Sequence, residues 1–371
     1  MLGLSARHAR WAAPVVIAAA VAGGAQVSAQ AANDRPHLPS LTARDLLVKV
    51  QTARVSTLSG TVRSTTDLGV PALPQRGGLD WSSLLTGTQT LRVYLDGPQR
   101  QRVDLVGPLT QASLVHDRST LWTWNSTTRT VTRTVLPSSS QATALPDVPG
   151  APGDLAMHLP LTPQQAAERA LAAVSPTTKV SVGRPATVAG RDAYDLRLQP
   201  RDAVSLVGSV DVYVDARTGL VLRTVVTPRS GGAAAVDIGF TRLSLRSPAA
   251  STFRFSPPPG SSVRDVTMPT HDAQRSAPSG AAPVRTFGNG WTTVVRSTAP
   301  QPSASGGSEQ PASPLLATLL RASRPVPGDR LPGGGRLLTT RLVSVLLTAD
   351  GHLYVGAVTP DELIRTARAS G

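Results

Sequence analysis

The sequence predicts a mainly β (α+β) fold: an incomplete antiparallel β-barrel, meaning a curved sheet with covering helices, followed by a small C-terminal β-rich lobe. Three observations predict it. Short hairpins follow one another from about Ser56 to Phe255, apolar and polar residues alternate at period two within them, and only three segments start with helix-capping signals. Strands that reverse so tightly build one large antiparallel sheet with a dry face and a wet face.

Two hairpin units carry the alternation most clearly. The first spans Thr90–Gly107 (TLRVYLDGPQRQRVDLVG) and the second spans Val210–Val226 (VDVYVDARTGLVLRTVV), with the run Gln111–Leu136 between them. Turn residues such as Asp96-Gly97 and Thr218-Gly219 separate the strands, because glycine adopts the backbone angles of tight turns. We also expect a two-residue hairpin turn at Asp350-Gly351.

Each of the three helices is predicted to begin at a threonine whose side chain caps the free amides of the first turn. These caps are Thr42, Thr162 and Thr359. The first two helices should cover about 43–54 and 163–174 and lie on the concave side of the sheet. They are too short to cover a broad sheet completely, so the rest of its dry face is either filled by side chains or left as an apolar cavity.

The N-terminus predicts export. A charged start, an apolar stretch over Trp11–Val21 and the small-x-small endings at Ala29 and Ala31 are typical of a signal peptide over residues 1–31. The apolar stretch is shorter than the ~20 residues that span a bilayer. An uncleaved membrane anchor is the alternative. Either way the predicted location is extracytoplasmic, secreted or in the cell envelope.

Composition also predicts the domain boundaries. The half-barrel domain should cover 38–266, a linker 267–283, and the small lobe 284–371, with a disordered insertion at 297–314. The phrase FRFSPPPG, from Phe253 to Gly260, is interpreted as the last strand of the half-barrel, ended by three prolines.

The charge is strongly positive, with a formal net value of +14, and all but two of the 37 basic residues are arginine. Such a bias is typical of a GC-rich, actinobacterial genome, and it permits peripheral contact with an anionic membrane. The arginines form no dense block with interleaved aromatic residues, so no nucleic-acid partner is expected. The absence of cysteine excludes disulfides, thiol catalysis and a lipid-modified cysteine.

No catalytic or metal-binding motif is present, so the protein is predicted not to be an enzyme and to need no cofactor. The histidines are scattered, at His8, His37, His116, His158, His271 and His352. Asp211 and Asp215 share a face at strand spacing and are interpreted as exposed carboxylates on the wet face.

The order of elements resembles the LolA/RseB-like superfamily. The resemblance rests on VSTLSGTVRSTT (Val55–Thr66), on the hairpin phrase of Gly208–Val226 and on FRFSPPPG, and it covers roughly Leu41 to Val266. It implies an incomplete barrel closed by helices over a hydrophobic cavity. It further implies either a carrier of the acyl chains of lipoproteins or a two-domain regulator of an anti-sigma factor.

Two functions therefore remain open: a carrier of lipid or acylated protein, and an envelope-stress sensor that binds an anti-sigma factor or another envelope protein. For the carrier, apolar and aromatic side chains of the sheet are expected to line the cavity. These candidates are Leu91, Val93, Leu95, Val103, Leu105, Trp122, Trp124, Val210, Val212 and Val214.

Overall fold

The computed structural model describes residues 36–69, 84, 86–136, 162–172, 177–267, 285–298 and 321–370. The predicted signal peptide lies outside the described residues, and so do 268–283 of the predicted linker and 299–314 of the predicted insertion. Ser297 and Thr298, which the sequence assigned to that insertion, are the end of a strand instead.

Thirteen strands of the described residues form one large sheet. They are β1 (Thr57–Thr66), β2 (Gly87–Asp96), β3 (Arg100–Val106), β4 (Gln111–Asp117), β5 (Thr120–Asn125), β6 (Thr130–Val135), β7 (Thr178–Val182), β8 (Ala186–Val188), β9 (Arg191–Pro200), β10 (Val207–Asp215), β11 (Val221–Pro228), β12 (Val236–Ser244) and β13 (Ser262–Thr267). The order is β13-β6-β5-β4-β3-β2-β1-β12-β11-β10-β9-β7, and β8 also pairs with β9. The predicted curved antiparallel sheet, not closed into a barrel, is confirmed.

The end of the sheet differs from the sequence prediction. Phe253 ends a short 3-10 turn that begins at Ala250, and the last strand, β13, follows the three prolines rather than preceding them. Prolines lack the N–H that a sheet ladder requires, so pairing resumes only at Ser262. β13 then pairs with β6 in parallel, the one parallel pair among the described strands.

Two helices lie against this sheet, and their caps are as predicted. Helix α1 (Ala43–Thr52) starts with a capping box, in which the Thr42 hydroxyl accepts from the Asp45 amide at 3.1 Å. Helix α2 (Pro163–Ala172) starts where the Gln165 amide donates to the Thr162 hydroxyl at 2.8 Å. Helix α1 ends two residues earlier than the sequence predicted, and the predicted end of α2, residues 173–174, lies outside the described residues.

The strand registers define two faces of the sheet. The face that packs against α1 and α2 carries apolar side chains and is called the apolar face; the opposite one is called the polar face. Strands β1–β5 contribute to one hydrophobic cluster together with Ala166 of α2. Strands β9–β11 contribute to a second cluster, which contains Leu46 and Val50 of α1 and Ala167 of α2.

The small lobe has a sheet of its own, in the order β14-β15-β19-β18-β17-β16. Its elements are β14 (Arg285–Phe287), β15 (Val294–Thr298), β16 (Arg324–Val326), β17 (Gly335–Thr339), β18 (Ser344–Thr348), β19 (His352–Gly356) and helix α3 (Pro360–Ser370). The turn between β18 and β19 has three residues, Ala349 to Gly351, rather than the predicted two. Leu363 and Ile364 of α3 pack into the lobe's own cluster.

The small lobe is joined to the large domain by backbone hydrogen bonds. The Leu206 amide donates to the Ala357 carbonyl at 2.9 Å, and the Thr359 amide donates to the Val204 carbonyl at 2.7 Å. Trp291 and Leu342 of the lobe belong to the second hydrophobic cluster of the large domain. The two lobes therefore share one core at their junction.

Candidate functional site

Eight of the ten predicted cavity residues lie together on the apolar face, and each is at most 3% exposed. They are Leu91, Val93, Leu95, Val103, Leu105, Val210, Val212 and Val214. The first five belong to the first hydrophobic cluster and the last three to the second. In the described part of the chain these side chains are packed against other side chains. Contact with an acyl chain stays a prediction for them.

The two tryptophans lie on the opposite, polar face. Trp122 pairs with Val115 and Arg133, whereas Leu121, one residue earlier, faces the apolar side. The Trp122 ring lies 5.4 Å from that of Phe255, and the Arg133 guanidinium is 5.6 Å from its centroid. These two tryptophans therefore do not share a wall with the other eight candidates.

The polar face brings charged residues into two neighbouring rows that cross β9, β10, β11, β12, β1 and β2. The first row consists of Asp195, Tyr213, Arg223, Gly239, Arg63 and Thr90. The second row consists of Arg197, Asp211, Val225, Asp237, Thr65 and Thr88. Every member sits opposite its neighbour on the adjacent strand, so side chains next to each other in a row can make contact.

Ion pairs connect these rows. Arg223 donates through Nε and Nη2 to the two carboxylate oxygens of Asp237, at 2.8 and 2.6 Å. Its guanidinium also lies 5.6 Å from the centroid of the Tyr213 ring. Arg197 donates to Asp211, whose second oxygen accepts from the Ser209 hydroxyl at 3.2 Å.

The prediction that Asp211 and Asp215 are exposed is wrong, since they are 6% and 1% exposed. Each is buried beneath an arginine of β9. Arg191 donates to Asp215 at 2.5 and 3.1 Å, and the amide and hydroxyl of Thr218 donate to the same carboxylate. Burial alone raises the pKa of Asp215, but the hydrogen bonds from Arg191 and Thr218 outweigh it and hold that pKa below its usual value.

Asp195 is the exception among these carboxylates. It is 3% exposed, and its Oδ1 has no hydrogen-bond partner among the described residues. Arg197 stands 3.9 Å from the other oxygen, because this arginine is engaged with Asp211. Burial, followed by repulsion from Asp211, raises the pKa of Asp195 to about 6, against a smaller lowering by Arg197.

A cavity of about 290 Å³ opens in the first row, at the position of Gly239. It is lined by Arg63, Thr65, Thr187, Val188, Ala189, Arg223, Asp237, Gly239, Phe240 and Thr241. Gly239 leaves space between the two arginines of the row. A Cβ atom placed there would approach Cγ of Arg223 to 2.9 Å.

The hairpin between β8 and β9 forms one side of the cavity. Ala189 and Gly190 join the strands, and both have positive φ, 51° and 72°. Two consecutive residues of this kind are typical of the type I′ hairpin turn. The bond from Arg191 to Asp215 ties the turn end of the hairpin to the turn between β10 and β11.

The sequence pattern did not predict this polar face. Alternation placed charged residues on the wet side, but their ion pairs join residues 14 to 24 positions apart and depend on strand register. One signal was available: arginine and aspartate occupy matching positions of facing strands in β9 and β10. No group of three or more metal-ligating side chains occurs among the described residues. No helix in that part of the chain has both the length and the apolar character of a membrane span.

Comparison with known proteins gave structural neighbours only. No protein-family model matches the chain, and no curated protein matches it. One similar structure is a chain of the MucA/MucB complex of Pseudomonas aeruginosa, with 15% sequence identity and a TM-score of 0.45. The matched region covers 88% of the present chain and 96% of the chain from that complex. Another is a LolA superfamily protein from Nitrosomonas europaea, with 14% sequence identity and a TM-score of 0.21. The matched region covers 58% of the present chain and 99% of that protein.

A third similar structure is an uncharacterized conserved protein from Thermus thermophilus, at 11% identity and a TM-score of 0.33, covering 60% of this chain and 99% of its own. The structural neighbours thus include MucB and LolA superfamily proteins, the group that the sequence resembles. The actinobacterial origin stays a prediction.

Proposed function

We propose that the protein is an extracytoplasmic, non-enzymatic regulator that binds another envelope protein through a surface shared by its two lobes. The compartment rests on the signal-like sequence of residues 1–31. One observation carries the proposal: the small lobe shares a hydrophobic cluster with the large domain, through Trp291 and Leu342. Two lobes held in one orientation present a combined surface whose geometry is set before a partner arrives.

A preset surface matters for affinity. A stable protein–protein interface takes roughly 800 Å² from each partner, and ordering mobile parts during association reduces the free energy gained. The junction keeps this cost low, since backbone hydrogen bonds join the lobes, including one from the Arg341 amide to the Leu68 carbonyl at 2.9 Å. The net charge of +14 favours a partner with an acidic surface.

The packing of the apolar face supports the same proposal. An acyl-chain carrier needs free apolar space, and the eight predicted wall residues on this face are at most 3% exposed. The cavity at Gly239 lies on the other face and is lined by charged and hydroxyl groups as well as apolar ones. This arrangement suits recognition of a polar surface better than storage of a hydrocarbon chain.

Acyl-chain binding is the second candidate, and one observation favours it. All eight residues share a single face of one continuous sheet, so a ligand that displaced the covering side chains would meet apolar surface along several strands. Burial contributes ~0.8 kcal/mol per CH₂ group, and a chain of ordinary length would compensate for such a displacement.

The experiment compares the two candidates on the protein without its predicted signal peptide, residues 32–371. Cross-linking in the envelope of the native host, followed by mass spectrometry, identifies the bound protein. Titration of that purified partner then measures its affinity for the wild type and for Arg341→Ala, which removes the bond from Arg341 Nη1 to Asp67 Oδ2 (2.6 Å) across the junction. Arg330→Ala is the matched control, because Arg330 pairs with Asp361 inside the small lobe.

We expect the partner to lose affinity for Arg341→Ala and not for Arg330→Ala. In parallel, lipids are extracted from the purified protein and a fluorescent fatty acid is titrated into the wild type and into Val212→Thr. Stoichiometric co-purifying lipid, together with saturable uptake weakened by Val212→Thr, would overturn the regulator in favour of the carrier.

A further inference from the structure

The cavity at Gly239 contains two arginines with different roles. Arg223 uses Nε and Nη2 to hold Asp237, so two of its five N–H donors are engaged and its guanidinium is fixed in place. Arg63, on the other side of Gly239, is exposed and makes no hydrogen bond or ion pair with the described residues. A guanidinium that borders a cavity without a partner offers its planar set of N–H donors to a ligand.

The charges lining the cavity set the charge of the ligand. Arg63 and Arg223 are positive and Asp237 is negative, which leaves one uncompensated positive charge. A singly charged anion neutralises this cavity, whereas a doubly charged one leaves an excess negative charge beside Asp237. The Thr187 hydroxyl borders the same space and can donate a further hydrogen bond. The Thr241 hydroxyl already donates to the Thr61 carbonyl at 3.2 Å, and the Thr65 hydroxyl shares a hydrogen bond of 3.1 Å with that of Thr88.

The size and the remaining lining indicate more than a bare ion. The volume of about 290 Å³ is close to the lower end of small-molecule pockets, roughly 300–1,000 Å³. Val188 and Ala189 supply apolar surface next to the charged groups. A ligand with a charged head and a short apolar substituent satisfies both parts of the lining.

We propose that this cavity is a binding site for a singly charged oxyanion with a small apolar substituent, with Arg63 as its main contact. Arg223, held by Asp237, forms the opposite wall, and Gly239 provides the room between them. The site is on the polar face, on the other side of the sheet from α1, α2 and the eight apolar residues. The oxyanion can be a carboxylate, as in an acylated amino acid, or a phosphodiester, as in a lipid headgroup.

Three probes of similar size test the proposal by isothermal titration of the protein without its predicted signal peptide. N-acetylalanine carries the carboxylate, diethyl phosphate carries the phosphodiester, and N-acetylalanine amide is the neutral control. We expect the wild type to bind at least one anionic probe and not the amide. Binding of the carboxylate alone indicates an amino acid or peptide source, and binding of the diester alone indicates a headgroup source; either supports the site.

Two variants locate the binding. Arg63→Gln should weaken the anionic probe by at least about tenfold, because it removes a charge-assisted hydrogen bond. Arg242→Gln is the matched control, since Arg242 is an exposed arginine of β12 outside the cavity lining and its loss changes the net charge equally. Gly239→Ala should also abolish binding by filling the space between the arginines.

Urea unfolding confirms that each variant is folded before titration. Three results would overturn the proposal. Arg63→Gln could bind the anionic probe as tightly as the wild type, or Arg242→Gln could lose as much affinity as Arg63→Gln. The third is that the neutral amide binds the wild type as tightly as the anionic probes. Failure of both anionic probes to bind the wild type at concentrations up to tens of millimolar would overturn it as well.

Discussion

The indole Nε1 of Trp291 donates a buried hydrogen bond of 2.7 Å to the hydroxyl of Thr178, and so joins the small lobe to edge strand β7 of the large sheet. Trp291 is only 8% exposed and packs into the same cluster as Leu198 and Val210. The junction therefore combines apolar burial with a polar contact that has a defined geometry. The two-lobed surface proposed for partner binding depends on this contact.

Substitution at Trp291 should separate the two contributions. Trp291→Phe keeps most of the apolar area but removes the hydrogen bond from the indole to Thr178, and it should lower the free energy of unfolding by about 1 kcal/mol. Trp291→Ala also removes the buried ring and should lower it by about 3–5 kcal/mol. Urea unfolding, followed by circular dichroism, measures both.

Trp124→Phe is the control, because it makes the same chemical change on the polar face, away from the junction. We also expect Trp291→Ala to split the unfolding curve into two transitions, as the lobes lose their shared core. A single transition with the stability of the wild type would show that the lobes do not depend on this contact.

The faces of the strands could be predicted from the sequence, because alternation is a local property of the chain. Leu91, Val93 and Leu95 share a face wherever β2 pairs, and the structure places them together at 0–3% exposure. The helix caps at Thr42 and Thr162 were predictable for the same reason, since cap and first turn lie three residues apart.

Features that depend on distant residues could not be predicted. Asp215 is buried because Arg191, 24 residues earlier, reaches it across a strand pair, and only the register shows which arginine that is. The parallel pairing of β13 with β6 joins segments about 130 residues apart. The cavity depends on Arg63 and Gly239 occupying opposed positions on β1 and β12, and no local pattern indicates that pairing.

Gly183 follows β7 at a place where Asp195 leaves no room for a side chain. A Cβ atom there would lie 1.9 Å from Oδ2 of Asp195, and the Gly183 amide donates to the Asp195 carbonyl at 2.7 Å. We expect Gly183→Ala to lower the free energy of unfolding by about 1–3 kcal/mol through overpacking. Gly328→Ala is the control, because the nearest atom to its added Cβ is 4.0 Å away.

The double variant Gly183→Ala/Asp195→Ala tests the physical cause. If the clash with Asp195 is responsible, the two losses in stability are not additive and the double variant recovers part of the cost of Gly183→Ala. Additive losses within about 0.5 kcal/mol would assign the effect of Gly183→Ala to another contact.

Ala189 borders the cavity in a backbone conformation that costs energy for alanine. Its φ of 51° is in the left-handed region, and it occupies the first central position of the β8–β9 turn, where asparagine and glycine are preferred. Ala189→Asn and Ala189→Gly should therefore raise the free energy of unfolding by about 0.5–1 kcal/mol. Thermal unfolding measures the gain, and a lower melting temperature in both variants would contradict the turn assignment.

Asp195 should make stability depend on pH in a direction opposite to that of a carboxylate held by an ion pair, such as Asp215. Its pKa in the folded protein is raised to about 6, first by burial and then by Asp211, from an ordinary value of 3.8. Between these values the folded state binds more protons than the unfolded state, so the free energy of unfolding falls as pH rises from about 4 to about 6 and then levels off. The loss is about 2–3 kcal/mol at most.

Asp195→Asn removes the ionisation while keeping the shape of the side chain. We expect this variant to be more stable than the wild type at pH 7 and to approach it at pH 4, because the neutral amide resembles the protonated acid. Urea unfolding at pH 4, 5, 6 and 7 measures the difference between the two proteins, in which the contributions of the other carboxylates cancel. Asp192→Asn, at an exposed position of the same strand, controls for the loss of one negative charge. If the free energy of unfolding of Asp195→Asn changes between pH 4 and pH 7 by as much as that of the wild type, the Asp195 carboxylate does not titrate in this range. The pH dependence then arises from other groups.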